Sequence, residues 1–204
     1  MTRTKIVPLN VAALSQEPTD GRRQRSERSR AQIIEAMFQL IQDGDMRPSA
    51  SQVAERADVG LRTVFRHFED MDSLYVEMAE RITADVMPKI LAPFEARDWR
   101  GQLMEHLQRR IEIYERIMPV RVSANIRRFQ SRFLMEEYRR SLLIESSALK
   151  AILPNEINND PVLFPAIETA VSFQSWRRLR QDSELTPERA ADVFRLTLER
   201  LVAP

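Results

Sequence analysis

Cysteine is absent from this chain of 204 residues, and glycine occurs only four times. Without cysteine the chain has no disulfide, no zinc–thiolate site and no cysteine nucleophile. Scarce glycine, together with a hydrophobic content of 43%, favours helices over sheets around a buried core. The length suits one large domain or two small ones. We therefore expect an all-α protein.

The sequence also lacks an excess of charge of one sign, and it lacks long apolar runs. The 31 Lys and Arg residues offset 30 Asp and Glu residues, so a nucleic-acid surface would have to be local. No apolar run approaches the ~18 residues that cross a membrane. The N-terminus has no apolar segment typical of a signal peptide. We expect a soluble, cytoplasmic protein without a membrane partner.

Catalytic motifs are missing as well. The sequence has no ligand cluster with metal spacing, no glycine-rich phosphate loop and no nucleophile elbow. Of the two histidines, His106 is isolated on a long predicted helix, where a surface or core position is the commoner one. We predict no catalytic residue, no metal and no cofactor.

Residues 49–68, with the sequence SASQVAERADVGLRTVFRHF, carry the strongest local pattern. Ser49 and Gln52 make a capping box, which predicts a helix over about 50–57. A short turn then leads to a second helix over about 61–68. Two short helices joined in this way are typical of a helix-turn-helix, whose second helix enters the major groove of DNA.

The second of these helices separates apolar from polar side chains. Its predicted apolar arc consists of Leu61, Val64, Phe65 and Phe68. Its predicted polar arc consists of Arg62, Thr63, Arg66 and His67. The polar arc offers cations and hydrogen-bond donors, as a DNA-facing surface does. An ordinary amphipathic helix with a solvated basic face is the alternative.

Upstream lies a cluster that we call the arginine run, which consists of Arg22, Arg23, Arg25, Arg28 and Arg30. A charge run is usually a solvated segment. This one adjoins the first predicted helix, in the same domain as the helix-turn-helix, and outside these two basic places the N-terminal region is acidic. We predict that Arg22, Arg23 and Arg25 contact DNA after a flexible tail over 1–21.

Helix signals continue on both sides of the motif. A first helix is predicted over about 26–42, with Gly44 just beyond its end. A fourth helix is predicted to start at Met71, capped by Asp70, and to end before Pro93. The predicted C-terminal helices cover 99–117 up to a break at Met118–Pro119, a stretch ending at Pro154, 161–180 and 187–202.

One set of residues between 27 and 78 fits a family pattern: Ile33, Ile34, Ala36, Phe38, Gly44, Val53, Ala54, Ala57, Val59, Thr63 to Phe68, and Leu74. In these residues the chain resembles the DNA-binding domain of the tetracycline-repressor (TetR) family. The resemblance implies a three-helix DNA-binding domain over 22–78 and a helical bundle over 79–204 for ligand binding and dimerisation. It also implies three partners: duplex operator DNA, a second copy of the chain and a small-molecule effector.

The chain departs from the family pattern at four positions. Asp58 stands where the family usually has Gly, and Gly60 stands where it has a Ser N-cap. Phe65 replaces a Tyr whose hydroxyl contacts phosphate, and Met71 replaces a Lys. More of the phosphate binding would then depend on the arginine run. The predicted DNA-binding residues are Arg62, Thr63, Phe65, Arg66, His67, Gly60, Ser49, Arg22, Arg23 and Arg25.

The C-terminal part supplies two further predictions. Its last two long helices are apolar over more than one stripe, which indicates a second chain as packing partner. The predicted dimer residues are Phe164, Ile167, Phe173, Trp176, Phe194, Leu198 and Leu201. A mostly apolar effector is predicted to contact Leu107, Ile111, Tyr114, Phe129, Phe133 and Tyr138, although aromatics at helical spacing are more often core.

Together these observations predict a sequence-specific DNA-binding transcriptional regulator. We expect a repressor that a small molecule releases from its operator, since this is what the resemblance implies for most members. The alternative is an all-helical interaction module, or a small enzyme, whose helix-turn-helix is only structural. The polar arc of the second helix distinguishes these two functions, because a purely structural motif does not need these polar side chains together beside the arginine run.

Overall fold

The computed structural model describes residues 19–203, and at 19, 20 and 22 it describes the backbone alone. In this part of the chain every regular element is helical. The α-helices are α1 Thr19–Gln42, α2 Ala50–Arg56, α3 Leu61–His67, α4 Met71–Leu91, α5 Trp99–Arg127, α6 Arg132–Lys150, α7 Asn155–Asn158, α8 Leu163–Ala170, α9 Phe173–Arg177 and α10 Pro187–Leu201. Among these residues, no helix combines the length and the apolar character that a membrane crossing requires. The all-α prediction is confirmed.

The N-terminal helices pack around one hydrophobic cluster. Side chains of α1, including Ile33 and Met37, meet Val53 of α2, Val64 of α3 and Leu74 of α4 there. These five side chains are buried from solvent. Burial of apolar surface stabilises the folded state by roughly 25 cal/mol per Å², so this cluster holds the helix-turn-helix against α1 and α4.

The turns of this region form as the sequence predicted. Gly44 has a φ of 101°, and the hydrogen bond from the Asp45 N–H to the Leu40 carbonyl completes a Schellman motif at the end of α1. Ser49 and Gln52 make both hydrogen bonds of the capping box at the start of α2. The end of α1 and the start of α2 are therefore set by local hydrogen bonds.

A second hydrophobic cluster holds the C-terminal helices together. It contains Leu107 from α5, Leu149 from α6, Ile167 from α8, Trp176 from α9 and Phe194 from α10. The α4 helix runs beside α5 and joins the two ends of the molecule. The domain boundary predicted at residue 78 falls inside α4 and stays a prediction.

Two predicted helix limits are wrong. The first helix begins at Thr19 rather than near Ser26, because the Arg, Gln and Glu residues of this segment are good helix formers. Residues 19–21 of the predicted flexible tail are therefore helical, and its residues 1–18 lie outside the described residues. The helix predicted to break at Pro119 continues as α5 to Arg127. Tertiary packing of residues beside the proline outweighs its cost of about 3 kcal/mol.

The single helix predicted over 161–180 is also wrong. The chain forms α8 and α9 with a break at Val171–Ser172, followed by a π-helical turn at Arg178–Asp182. Ser172 caps α9 by accepting a hydrogen bond from the Ser175 N–H at 3.2 Å. Serine competes with continuous helix through such local bonds. The break also exposes the Val171 carbonyl to a side chain of α5, described below.

Candidate nucleic-acid interface

Two side chains anchor the buried face of α3. Val64 and Phe68 are both almost fully buried in the N-terminal cluster. The helix begins at Gly60, which has no side chain to cap it. Ser49, at the N-terminus of α2, is exposed and occupied by its capping box. Gly60 and Ser49 thus lie at the starts of the two helices of the motif.

The outer face of α3 is wider than the polar arc predicted from the sequence. Leu61 is 46% exposed and Phe65 is 50% exposed, so their assignment to the packed face is wrong. They lie beside Arg62 and Arg66, which are also exposed. The spacing i, i+1, i+4, i+5 places all four on one face. This face, consisting of Leu61, Arg62, Phe65 and Arg66, is hereafter the outer face of α3.

His67 belongs to the interior side of α3 more than to its outer face. Its side chain is half-buried, and Nε2 has no hydrogen-bond partner among the described residues. Burial, followed by the charges of Arg66 and Arg30, lowers the pKa of His67. The lowered pKa favours the neutral imidazole in the protein without DNA. Thr63 is likewise half-buried.

Arg30 fixes the C-terminal end of α3. Its guanidinium donates to the His67 carbonyl at 3.1 Å and pairs with Glu77 of α4 at 2.6 Å. It also lies over the Phe68 ring, 4.7 Å from the centroid. This member of the arginine run therefore joins α1, α3 and α4. Sequence reasoning missed the role, since nothing local links positions 30, 67 and 77.

The other members of the arginine run lie on the first turns of α1. Arg23 and Arg25 are exposed; Arg23 pairs with Glu27 at 3.0 Å, and Arg25 donates to the Gly21 carbonyl at 2.9 Å. An exposed pair of this kind is weak, so both guanidiniums remain available to phosphate. The side chain of Arg22 lies outside the described residues.

Asp58, one of the departures from the family pattern, has a φ of 52°. Its N–H bonds the Glu55 carbonyl, and the Val59 N–H bonds the Ala54 carbonyl, so a Schellman motif ends α2. Such a position favours glycine, although Asp tolerates it better than most residues. Asp58 thus adopts the left-handed backbone conformation that a glycine would usually adopt at this position.

We expect Asp58→Ala to lower the free energy of unfolding by about 1 kcal/mol, because alanine has no side chain that helps the left-handed conformation. Asp58→Gly should instead raise it by up to about 1 kcal/mol. Chemical denaturation of the three proteins measures both changes. Equal stability of the alanine and glycine variants would show that the backbone here is not strained.

The residues predicted to bind an effector are separated in the structure. Leu107, Ile111 and Tyr114 are buried in the C-terminal cluster, so these three are core rather than cavity wall. Phe129 is 74% exposed. Only Tyr138 lines the cavity of about 170 Å³ between α4, α5 and α6. Phe133 lines a separate groove beside α4.

A second cavity, of about 270 Å³, lies near the end of α4. His106 lines it with Ile144 and Ala148, and burial, then the charges of Arg110 and Arg109, lowers the pKa of His106 to about 3. The sequence predicted a surface or core position for His106, and the structure places it half-buried in the wall of this cavity. Among the described residues no group of three acidic or histidine side chains is placed to hold a metal.

A buried polar network crosses the C-terminal helices and was missed from the sequence. Glu145 of α6 pairs with Arg121 at 2.6 Å and accepts from the Tyr114 hydroxyl at 2.9 Å. Arg110 donates to the Glu145 carbonyl at 2.9 Å and to the Val171 carbonyl at 3.3 Å. One signal was present: Glu145 lies three residues after Leu142 and four before Leu149, on an apolar stripe.

The predicted dimer residues lie mostly inside the single chain. Phe164, Ile167, Phe173, Trp176, Phe194 and Leu198 are buried in its own core, and Leu201 packs against that core. These side chains contribute to the core of the single chain, and their place in a dimer interface stays a prediction. The exposed apolar side chains of this region are instead Val162 at 75%, Leu196 at 56% and Val193 at 38%.

Comparison with known proteins gives structural likeness only. No protein-family profile matches the sequence, and no curated protein matches it significantly. A transcriptional regulator from Rhodococcus sp. Rha1 is similar with a TM-score of 0.64 and 16% identity, over 87% of this chain and 95% of that chain. A TetR family transcription regulator from Marinobacter aquaeolei VT8 is similar with a TM-score of 0.59 and 21% identity, over 87% of this chain and 97% of that one. This chain therefore has the all-helical fold of TetR family transcription regulators, the family that its helix-turn-helix resembles.

Proposed function

We propose that this protein is a transcriptional regulator that binds duplex DNA through the outer face of α3. The observation that carries the proposal is the pair of exposed guanidiniums, Arg62 and Arg66, on a helix held from its other side by Val64 and Phe68. A helix anchored in this way presents its side chains in a fixed direction, as readout in the major groove requires.

The chemistry of the outer face matches the edges of DNA bases. Arginine is suited to the O6 and N7 acceptors of guanine, and apolar side chains contact the methyl group of thymine. Leu61 and Phe65, which stand exposed beside the arginines, supply such apolar groups. A helix-turn-helix with only a structural role has no need to expose two arginines and, beside them, two large apolar side chains. This observation favours a regulator over an interaction module or an enzyme.

Selection from a randomised duplex library, followed by gel-shift assays at two salt concentrations, tests the proposal. We expect recovery of a defined sequence and binding that weakens as salt rises, because phosphate contacts release counterions. Failure to enrich any sequence, with folded protein, would contradict it.

The arginine run is expected to add affinity without sequence preference. Arg23→Ala combined with Arg25→Ala should weaken binding to selected and unrelated duplexes alike. The salt dependence should flatten by about one unit for each phosphate group that the variant no longer binds. Arg97→Ala combined with Arg139→Ala, at two exposed positions outside the N-terminal helices, serves as the comparison and should leave the salt dependence unchanged. An unchanged salt slope in the double variant would remove the arginine run from the interface.

We propose that the protein acts as a homodimer. Val193 and Leu196 form an exposed apolar strip on α10, and Val162 is exposed just before α8, which packs against α10. A two-fold pair joined there would carry two α3 helices to half-sites about one helical turn apart. This proposal keeps the helices that the sequence predicted for the dimer interface, but it assigns the contacts to side chains on the outer faces of those helices.

We further propose that a small molecule weakens DNA binding, as expected for a repressor. Cavities beside α4 support this proposal, because α4 starts directly after the helix-turn-helix and extends between the C-terminal helices. A ligand that prefers one position of α4 would shift the spacing of paired α3 helices. It shifts that equilibrium only by its differential affinity for the two states.

A further inference from the structure

The cavity of about 170 Å³ between α4, α5 and α6 has mostly apolar walls. These walls are formed chiefly by Tyr75, Ala79, Ile82, Ala124, Leu134 and Tyr138. An apolar cavity of about 150 Å³ is large enough to bind benzene. The space therefore suits a molecule with one ring, or an aliphatic chain of similar volume.

The charged groups at the edge of this cavity are already paired. Arg121 bonds Glu145 at 2.6 Å and the Ser141 hydroxyl at 3.2 Å. Glu137 accepts from Arg140 at 3.0 Å. A charged ligand would lose its hydration here without gaining an unpaired counterion. The walls thus favour a neutral ligand.

Tyr75, which forms one wall, also belongs to a chain of buried hydrogen bonds. The Ser123 hydroxyl of α5 donates to the Met46 carbonyl at 3.0 Å, which uses its one hydrogen. The Tyr75 hydroxyl, 2.7 Å from Ser123 Oγ, must therefore be the donor in that pair. Burial raises the pKa of Tyr75, so the phenol keeps this proton.

The chain of bonds continues into the helix-turn-helix. Met46 lies in the loop between α1 and α2, and the adjacent Asp45 accepts from the Gln52 side-chain amide at 2.7 Å. Gln52 is also the capping-box partner of Ser49 at the start of α2. Because α2 packs on α3, displacement of Tyr75 would move the support of the outer face of α3.

We propose that this cavity is the effector site, that it takes a neutral, apolar molecule of one-ring size, and that Tyr75 transmits its occupancy through Ser123 and Met46 to the helix-turn-helix. The proposal deepens the proposed function, on which its DNA-binding arm rests. Tyr75 is a positioning residue, since it acts on DNA only through other groups.

Toluene and benzoate, which share a shape and differ in charge, test the site by titration calorimetry. Toluene should bind the wild-type protein, and benzoate should bind more weakly. Ala124→Leu fills the cavity and should weaken toluene binding by at least about tenfold. Ala148→Leu, which fills the His106 cavity instead, should leave it unchanged. Ala79→Leu replaces Ala124→Leu if the latter does not fold.

The transmission is tested with Tyr75→Phe, which keeps the ring and removes the hydroxyl. In wild-type protein, saturating toluene should weaken binding to the selected duplex by roughly 5- to 150-fold. Tyr75→Phe should bind toluene with wild-type affinity and lose this effect. Tyr138→Phe is the matched control: Tyr138 lines the same cavity, its hydroxyl accepts from the Gln174 side-chain amide at 3.3 Å outside the Tyr75–Ser123–Met46 bonds, and the variant should keep the effect.

Each result decides a separate part of the proposal. Equal toluene binding by wild type and the filled variants, or tighter binding of benzoate, would overturn the site or its ligand class. Full coupling in Tyr75→Phe, or DNA binding by wild type that bound toluene does not change, would overturn the transmission. Absence of all DNA binding by wild type would instead refute the proposed function, and the calorimetry would still judge the site.

Discussion

The double variant Arg62→Ala, Arg66→Ala is expected to bind the selected duplex about 100-fold more weakly than wild type, or worse, because each specific arginine contact is worth about 1–3 kcal/mol. Both side chains are exposed, so the free energy of unfolding should change little. Fluorescence anisotropy measures the affinity, and circular dichroism the stability.

The paired control removes two exposed arginines from another surface. Arg97→Ala combined with Arg139→Ala, just before α5 and on α6, takes away the same charge far along the chain from the helix-turn-helix and away from α10. This protein should bind DNA nearly as wild type does. Equal affinity of the two double variants would show that α3 does not read DNA.

The second large effect separates core from interface in α10. Leu196→Asp should give a folded monomer, because Leu196 is 56% exposed and contributes little to the single-chain core. Phe194→Asp should unfold the protein. Phe194 is 2% exposed and packs edge-to-face on Trp176 with ring centroids 5.1 Å apart. Loss of that ring costs about 3–5 kcal/mol before the buried carboxylate is counted.

Sedimentation and thermal denaturation distinguish these two outcomes. The monomeric Leu196→Asp protein should keep its helical signal and lose DNA affinity, since two half-sites no longer bind together. A Leu196→Asp protein that sediments as a dimer would place the interface elsewhere. A folded Phe194→Asp protein would contradict the packing described for α9 and α10.

The helix-turn-helix was predictable because its signals are local. Ser49 and Gln52 are three residues apart, and Gly44 acts through the hydrogen bonds of its own turn. The outer face of α3 was predicted only in part. Helical periodicity gives the centre of an apolar arc but not its width, and α3 is buried through Val64 and Phe68 alone.

The C-terminal half was less predictable because distant residues decide it. Pro119 signals a break by itself, yet packing on both sides keeps α5 continuous. The broad apolar surface of 161–180 and 187–202 reflects helices that bury several faces within one chain. Without the fold, that surface is indistinguishable from one awaiting a second copy. The Tyr75–Ser123–Met46 bonds span 77 residues and leave no local pattern.

Dimethyl sulfate footprinting on the selected duplex tests the central claim most directly. The reagent methylates guanine N7 in the major groove and adenine N3 in the minor groove. If α3 enters the major groove, bound protein should protect guanine N7 in two half-sites about 10–10.5 base pairs apart, and the Arg62→Ala, Arg66→Ala protein should lose that protection. Protection confined to adenine N3, or an N7 pattern that survives the double substitution, would contradict the account.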